Sequence, residues 1–377
     1  MDKQIQDSQE QLENADPSDN EQPDGDSGKK RSVKNILLIA VEVCVLMVAI
    51  AVMYVVVTTT DEVERKDIDE KRIVINEEVV ETLQSEKSEE LKGYRNIALF
   101  GVDARDGELG RGTRSDTIII ACINQDTQEI KLVSVFRDTY LNLGNDSYNK
   151  CNAAYAQGGP EQAISMLNTN LDLDITDYVT VGFGGLIDSV DALGGVEMEV
   201  TKAEISHLNN YQLCMAEELG VDYIPIKESG VQLLNGMQAT AYCRIRYTKG
   251  DDFRRAERQR DVLTAMMEKA KKASVSELTD MVTAILPQVE TSLNVNEIVG
   301  VLGSVAGYDV VTSEGFPFED NRRGANVGSR GSCVIPEDLE ENVIELHGIL
   351  YPETDYNPSK QVRAISEEIE ERTDEYQ

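Results

Sequence analysis

The chain has 377 residues, of which 41% are hydrophobic and 28% are charged, and its formal net charge is −33 at pH 7. This length suffices for one large domain or two ordinary ones, with flexible segments in addition. The strong negative charge excludes loose wrapping of nucleic acid, because nucleic-acid phosphates require a broad basic surface. Any polyanionic ligand must therefore bind at a focused site.

The N-terminal region predicts a membrane anchor. Residues 1–34 are acidic and polar, so we expect a disordered cytoplasmic tail. Residues 35–60, NILLIAVEVCVLMVAIAVMYVVVTTT, are apolar over enough length to form one transmembrane helix. A cleaved signal peptide is the alternative, but the apolar run is too long and follows a long polar leader.

The charges that flank this apolar run predict its orientation. The basic segment KKRSVK precedes it, and the acidic segment DEVE follows it. The positive-inside rule then places the N-terminus in the cytoplasm, a single span in the cell membrane, and the rest of the chain outside the cell. Residues 61–93 are charged with sparse apolar positions, which predicts a helical stalk.

Short β-branched strands alternate with helices from Tyr94 onward. NIALFGVD, TIIIACIN, EIKLVSVFRD, DYVTVGF and VEMEV are typical of strands, and the second and third predict an antiparallel hairpin. PEQAISMLNTNL and GGLIDSVDALGG predict helices, the first with proline in its first turn. Residues 94–351 are therefore predicted to form one α/β domain, with a mixed central β-sheet flanked by α-helices. Residues 352–377 are expected to be a solvated acidic helix or tail.

The segment CRIRY carries two closely spaced arginines. Cys243, Ile245 and Tyr247 alternate with Arg244 and Arg246, and this period of two predicts an extended segment with both arginines on one face. Planar guanidinium groups suit phosphate oxygens better than lysine does. A solvated network of surface salt bridges is the alternative, and only a second phosphate-directed cluster would weigh against it.

A helix is predicted after Gly250. Asp252 is suited to cap its N-terminus. Arg255, Arg258 and Gln259 share one face of this helix by their spacing. The extended segment and the helix together predict a basic pocket for an anionic ligand.

Acidic and basic residues also stand where the predicted strands end. Asp103 follows one buried strand and Asp116 begins the next, which predicts an oxygen site for a hard cation such as Mg²⁺. Turn formation by these aspartates is the alternative. Arg137 and Asp138 lie where the third strand ends. A pyrophosphate would explain why cations and carboxylates coexist there.

Seven blocks of sequence carry a resemblance to a known family. GVDAR, RSDT, SVFRDT, YNKCNAAYAQGG, DALGGV, LNGMQATAYCRIR and DDFRRAERQ, in this order, resemble the LytR-CpsA-Psr family of cell-wall glycopolymer transferases. The resemblance runs from about residue 96 to residue 271 and continues more weakly toward the C-terminus. It implies an enzyme that moves an anionic glycopolymer from a polyprenyl pyrophosphate carrier to a peptidoglycan hydroxyl through a phosphodiester bond.

The resemblance also implies roles for individual residues. Asp103 and Asp116 match the ligands of Mg²⁺ or Mn²⁺, and Asp252 matches a position considered for proton abstraction. Lys150 and Asn152 lie in a matching pocket motif. The residues that match the pyrophosphate-binding and catalytic positions are Arg137, Arg244, Arg246, Arg255 and Gln259, with Arg114 beside them.

Three other functions remain open at this point. A hydrolase that releases the lipid-linked glycan would use the same residues, with water in place of the hydroxyl. A non-catalytic glycolipid-binding or regulatory scaffold would keep the arginines. A membrane-anchored transcription regulator is disfavoured, because no DNA-binding motif occurs and the basic pocket is predicted outside the cell.

A long lipid tail requires an apolar trough. The helices AISMLNTNL and LIDSVDALGG are candidates for its walls, although ordinary core packing explains the same apolar faces. The sequence departs from the family pattern at Phe136, where a proline is common. Residues 200–230 are harder to align, so acceptor specificity is expected to differ there.

Overall fold

The computed structural model of the chain describes residues 70–85, 91–102, 109–294, 297, 298, 300 and 304–376. The predicted cytoplasmic tail, the predicted transmembrane segment and Asp103 lie outside these residues. Across the described ranges, no helix combines the length and the apolar character needed to cross a membrane.

Strands and helices alternate along the described chain. The strands are β1 (Tyr94–Val102), β2 (Ser115–Asn124), β3 (Glu129–Val135), β4 (Tyr140–Asn142), β5 (Tyr148–Lys150), β6 (Asp177–Gly182), β7 (Val196–Val200), β8 (Gly230–Leu234), β9 (Val289–Thr291), β10 (Asp309–Phe316), β11 (Arg322–Asn326) and β12 (Ser332–Pro336). The α-helices are α1 (Glu77–Leu83), α2 (Asn152–Leu171), α3 (Phe183–Ala192), α4 (Ile205–Leu219), α5 (Gly236–Cys243), α6 (Asp251–Ala270), α7 (Val275–Ile285), α8 (Leu339–Leu350) and α9 (Lys360–Thr373).

Six of these strands form one mixed sheet in the order β10-β3-β2-β1-β6-β9. Strand β2 runs antiparallel to both β1 and β3, so the predicted hairpin is confirmed. Strands β6 and β10 run parallel to β1 and β3 respectively, and β9 runs antiparallel to β6. The predicted mixed α/β architecture is therefore confirmed.

The sheet is buried on both faces, which explains its continuous apolar runs. Ile118, Ile119 and Ile120 of β2 are all buried, although successive side chains of a strand point to opposite faces. Ile118 and Ile120 join the main core with α2, α8 and α9. Ile119 joins a second cluster with Leu263 and Met267 of α6. Helix α6 consequently lies across the face opposite the main core.

Helix α2 begins earlier than its sequence predicts. Its backbone leaves helical geometry at Gly159, with φ 71° and ψ −157°, and resumes at Pro160. Proline is tolerated there because the first N–H groups of a helical segment make no hydrogen bond within the helix, so the missing N–H of proline costs nothing. The predicted segment PEQAISMLNTNL is therefore the second part of a longer, kinked helix.

Segments at both ends of the described chain pack on the domain. Val362, Ile365 and Ile369 of α9 are buried in the main core, so this helix forms where a solvated helix or tail is expected, but it is not wholly solvated. At the other end, the Asn76 side chain donates hydrogen bonds to Asp172 Oδ1 at 2.5 Å and to the Thr169 carbonyl at 3.0 Å. The described part of the predicted stalk thus lies against the domain.

The prediction of an extended CRIRY segment is wrong. Cys243 ends helix α5, and Arg244 keeps helical backbone angles of φ −97° and ψ −9°. A capping box starts this helix: the Asn235 side chain accepts from the Gln238 N–H at 2.9 Å, and the Gln238 side chain accepts from the Asn235 N–H at 2.9 Å. The alternating burial therefore comes from a helix end and the loop after it.

The predicted cap of helix α6 is also wrong. Gly250 occupies the N-cap position with φ 99°, a conformation that favours glycine, and Asp252 lies inside the first turn. Asp252 is thereby free of a capping role.

Candidate active site

The candidate site lies where several strand ends meet beneath the N-terminus of α6. Val102 at the end of β1 lies opposite Ser115 at the start of β2, so Asp116 stands at this edge of the sheet. Strand β3 ends just before Arg137, and β6 ends at Gly182. The first turns of α6 bring Asp252 and Arg255 over the same edge.

Three arginines from two distant parts of the chain converge on Asp116. Arg137 Nη1 lies 2.7 Å from Asp116 Oδ1, and Arg246 Nη2 lies 3.2 Å from Asp116 Oδ2. Arg255 donates to the Asp116 backbone carbonyl. We call Arg137, Arg246, Arg255, Asp116 and Asp252 the arginine cluster.

Asp252 contacts the same three guanidinium groups. Its carboxylate oxygens lie 3.3 Å from Arg137 Nε, 3.5 Å from Arg246 Nε and 3.3 Å from Arg255 Nη1. A third carboxylate, Asp138, contacts Arg137 Nε at 3.2 Å but is itself paired with Lys150 at 2.8 Å, so the arginine cluster keeps one excess positive charge. A bound anion would neutralise this excess.

Burial makes the excess charge costly. Burial, together with the positive charges of Arg137 and Arg246, lowers the pKa of Arg255 to about 10, although the carboxylates of Asp252 and Asp116 oppose the shift. Burial also lowers the pKa of Arg137, but the carboxylates of Asp116 and Asp252 outweigh it and raise that pKa overall. Arg255 is therefore the guanidinium whose charge the protein compensates least within this group.

Arg244 approaches the cluster from a separate direction. Its guanidinium lies 4.5 Å from the centre of the Phe183 ring and 5.5 Å from the centre of the Tyr211 ring. Among the residues that the structure describes, it has no carboxylate within ion-pair distance. Aromatic rings hold such a group in place without neutralising it, so Arg244 adds a second available positive charge.

An apolar cavity of about 570 Å³ opens beside these arginines. Arg137, Arg244, Arg246, Arg255 and Asp116 line one part of it. Its other walls come from strands β1, β2 and β6 and from helices α3, α4, α6 and α7, and their apolar side chains include Leu99, Ile119, Val179, Val181, Phe183, Leu186, Val262, Leu263, Met266 and Ile285. We call this space the main cavity.

The predicted trough is thus present, but with one wall different. Helix α3, which contains LIDSVDA, lines it as expected. Helix α2, which contains AISMLNTNL, contributes no residue to it, because α2 packs on the other face of the sheet. Its place is taken by α6.

Residues 51–329 match the family model of the LytR_cpsA_psr family. The chain belongs to this family. A relative is the polyisoprenyl-teichoic acid–peptidoglycan teichoic acid transferase TagU of Enterococcus faecalis, 33% identical over 207 residues, which are 54% of this chain and 63% of that protein. The protein of the same name from Halalkalibacterium halodurans is 32% identical over 246 residues, or 64% of this chain and 74% of the relative.

The fold of this LytR_cpsA_psr member agrees with solved structures. The crystal structure of Bacillus subtilis TagV superposes with a TM-score of 0.55 and 24% identity, covering 71% of this chain and 99% of that one. At this identity the likeness establishes the fold alone.

Lys150 and Asn152 stand behind the arginine cluster and do not line the main cavity. Lys150 Nζ lies 2.8 Å from Asp138 Oδ1, and Asp138 Oδ2 lies 3.2 Å from Arg137 Nε. Burial raises the pKa of Asp138, but the hydrogen bond from Lys150 and the charge of Arg137 bring it below its ordinary value. The Asn152 N–H donates to the Arg137 carbonyl at 3.2 Å. These residues hold Arg137, and their predicted contact with substrate stays a prediction.

Gln259 and Arg114 occupy different surroundings. Gln259 lines the main cavity, and its Nε2 donates to the Cys243 carbonyl at 3.5 Å. Arg114 is exposed and does not line the main cavity. The predicted placement of Arg114 beside the pyrophosphate stays a prediction.

Of the two predicted ligands of the divalent cation, Asp116 lies among the described residues. No three histidine, cysteine, aspartate or glutamate side chains within the described ranges come together as a metal site. Both carboxylate oxygens of Asp116 are ion-paired to arginines. Because Asp103 lies outside the described residues, the Mg²⁺ site stays a prediction.

Sequence reasoning misplaced Arg258. It lines neither the main cavity nor the arginine cluster, and its side chain is only 1% exposed. Its Nε and Nη2 lie 2.9 Å and 2.8 Å from Glu204 Oε1. Its Nη1 donates to the Ile245 carbonyl at 3.0 Å, which fixes the loop between Arg244 and Arg246.

Three residues beside the arginine cluster were not assigned to the site from the sequence. The rings of Phe136 and Phe253 meet edge to face with centres 4.6 Å apart. The Arg322 guanidinium lies 4.0 Å from the Phe253 ring centre and 5.0 Å from that of Phe136. Of these three residues, the sequence draws attention only to Phe136, which stands in SVFRD where a proline is common in the family.

Proposed function

We propose that this chain is a membrane-anchored transferase that moves an anionic glycopolymer from a polyprenyl pyrophosphate carrier to a peptidoglycan hydroxyl. The observation that carries the proposal is an apolar cavity of about 570 Å³ with guanidinium groups along one part. This combination suits an amphiphile with a hydrocarbon tail and a doubly phosphorylated head. The names of the TagU relatives, which specify a polyisoprenyl-linked polymer and peptidoglycan, support the same class of substrates.

The proposal includes the topology of the chain. Residues 1–34 form a cytoplasmic tail, residues 35–60 a transmembrane helix and residues 61–93 a stalk. Residues 94–351 form the catalytic domain outside the cell. The apolar length of the span and the basic residues before it support this arrangement.

In the proposed reaction, the acceptor hydroxyl attacks the phosphorus next to the sugar. The bond from that phosphorus to the bridging oxygen breaks, and the lipid phosphate leaves with the bonding electrons. Arg137, Arg244, Arg246 and Arg255 stabilise the negative charge on the phosphate oxygens. Asp252, whose oxygens lie 3.3 Å from Arg137 and Arg255, takes the hydroxyl proton. No nucleophile from the protein is required.

We include a divalent cation, Mg²⁺ or Mn²⁺, held by Asp103 and Asp116. The sequence supports this assignment, because Asp103 follows one buried strand and Asp116 begins the next. Such a cation would neutralise part of the phosphate charge. Chelation with EDTA should abolish transfer, and excess Mg²⁺ should restore it. Full activity in the chelator would remove the cation from the proposal.

The test uses the full chain in detergent, a polyprenyl pyrophosphate glycan and peptidoglycan fragments. Wild type should form a phosphodiester-linked product. Arg244→Ala should transfer about 10- to 150-fold more slowly, because a charge-assisted hydrogen bond contributes about 1.5–3 kcal/mol. The matched control is Arg372→Ala, which removes an arginine stacked 4.6 Å from the centre of the Tyr148 ring outside the main cavity. This control should transfer at the wild-type rate.

The products separate the alternatives. Release of free glycan phosphate without a peptidoglycan adduct would replace the transferase by a hydrolase. Tight binding of the lipid-linked glycan without turnover would replace it by a scaffold. Full transfer by Arg244→Ala would reject the role given to the arginines.

A further inference from the structure

A second, much smaller cavity lies directly behind the arginine cluster. Its volume is about 40 Å³, and we call it the rear cavity. Helix α6 covers it from one side and the end of β3 from the other. The lining residues that matter here are Ser134, Asp252 and Arg255.

Each of these three residues brings an unsatisfied polar atom. Ser134 Oγ, Asp252 Oδ1 and Arg255 Nε are buried and have no hydrogen-bond partner among the described residues. The residues Ser134 and Arg255 are only 2% and 4% exposed. Asp252 Oδ1 does lie 3.3 Å from Arg255 Nη1 and 3.5 Å from Arg246 Nε, as ion pairs rather than aligned hydrogen bonds. Buried polar atoms are normally hydrogen-bonded, and three such exceptions around one cavity point to a ligand.

The chemistry of the three atoms selects the ligand. Arg255 Nε is a donor, Asp252 Oδ1 is an acceptor, and a serine hydroxyl acts as either. Arg255 and Arg137 repel a cation, and the Asp252 carboxylate repels an anion. A water molecule can accept from a guanidinium N–H and donate to carboxylate and hydroxyl oxygens, and a cavity of about 40 Å³ has room for it.

We propose that the rear cavity is a built water site, and that the water held there orients Asp252 and Arg255. The water ties the first turn of α6 to the end of β3. It thereby keeps the carboxylate and the guanidinium in register with the other arginines of the cluster. The effect on catalysis rests on the proposed function, whereas the water site itself does not.

The first experiment is a structure of the full chain at about 1.5 Å, with crystals grown in bromide as well as in chloride. A density peak in the rear cavity, bonded to Ser134, Asp252 and Arg255, is the expected result. A rear cavity without density would overturn the proposal. An anomalous bromide peak at the same place would replace the water by an anion and overturn it equally.

The second experiment compares two substitutions of Ser134 in the transfer assay. Ser134→Ala removes the hydroxyl and leaves room for the water, so kcat should stay within about threefold of wild type. Ser134→Val fills the cavity with methyl groups and expels the water. For this variant we expect kcat to fall at least tenfold, with KM for the lipid-linked substrate and Tm nearly unchanged.

Other outcomes contradict the proposal in distinct ways. Equal losses in Ser134→Ala and Ser134→Val would assign the effect to the hydroxyl itself, and an unchanged kcat in Ser134→Val would remove the positioning role. A fall in Tm with a rise in KM would indicate a packing defect. If wild type transfers nothing, the proposed function and the positioning role fall together, while the density in the rear cavity still decides the water site.

Discussion

Arg255 and Arg258 lie three positions apart on helix α6, and both are buried, yet their surroundings differ sharply. Arg258 has every nitrogen engaged, by Glu204, by the Ile245 carbonyl and by Thr248 Oγ1 at 2.7 Å. Arg255 lies between Arg137 and Arg246, and nearby carboxylates compensate its charge only in part. Burial alone therefore does not separate a structural arginine from one available to a ligand.

Arg258 and Arg255 differ in how completely carboxylates and other acceptors pair with their guanidinium groups. A fully satisfied buried ion pair has no capacity left for a ligand, whereas an incompletely compensated group gains from one. The two arginines also act together. We call Arg258 and Glu204 the structural pair. Because Arg258 holds the Ile245 carbonyl, this pair fixes the loop from which Arg244 and Arg246 reach the main cavity.

The largest expected effect comes from breaking the structural pair. Glu204→Ala leaves Arg258 as an uncompensated buried charge, which should lower the free energy of unfolding by about 3–5 kcal/mol. Urea unfolding of the full chain measures it. The control is Glu368→Ala, which breaks an exposed pair with Arg372 and should cost about 0.2–1 kcal/mol. Equal losses in the two variants would contradict the distinction.

Acid pH should weaken the same pair. Burial raises the pKa of Glu204, but hydrogen bonds from Thr201 and Arg258 outweigh it and bring the pKa below the ordinary 4.5. The stability that Glu204 contributes is then fully present above pH 4.5 and is lost as the pH falls through the lower folded-state pKa. The stability difference between wild type and Glu204→Gln should shrink over that acidic range. A difference that is constant with pH would contradict the assignment.

Breaking the arginine cluster should affect catalysis more than stability. Arg246→Ala removes contacts with Asp116 and Asp252, and we expect transfer to slow about 10- to 150-fold, which corresponds to about 1.5–3 kcal/mol. Its half-exposed ion pairs should contribute less than about 1 kcal/mol to folding. The matched control is Arg254→Ala, whose arginine pairs with Glu257 and Asp261 outside the main cavity. Similar losses of transfer in both variants would count against the cluster.

The sequence predicted much of the fold, because the strands are short apolar runs with polar ends. TIIIACIN and EIKLVSV form β2 and β3 as expected, and the buried position of both explains why their apolar residues are continuous. The prediction failed at CRIRY. It relied on five residues that alternate between apolar and arginine side chains, although the helix that ends at Cys243 begins with a capping box at Asn235 and Gln238. Local hydrogen bonds in the capping box favour a helix there, whatever the burial pattern.

The candidate site was predicted as a set of residues but not as a geometry. Arg137, Arg246 and Arg255 do meet at Asp116, as the motif blocks indicate. No pattern distinguishes Arg258 from Arg255, because its partner Glu204 lies 54 residues away and only the folded chain brings them together. The same holds for Ser134, whose importance depends on a cavity that forms between a strand and a helix.

The smallest expected effect concerns the rim formed by Phe136, Phe253 and Arg322. The cation–aromatic contact between Arg322 and Phe253, at 4.0 Å, should contribute about 0.5–1 kcal/mol to folding, because it lies near the surface. A double-mutant cycle with Phe253→Leu and Arg322→Leu, followed by urea unfolding, isolates this coupling. Transfer by Arg322→Leu should change only a few-fold, since Arg322 lines neither the main cavity nor the rear cavity. A coupling near zero would mean that Arg322 is held by its hydrogen bond to the Pro317 carbonyl instead, and the rim would then be packing without a cation contribution.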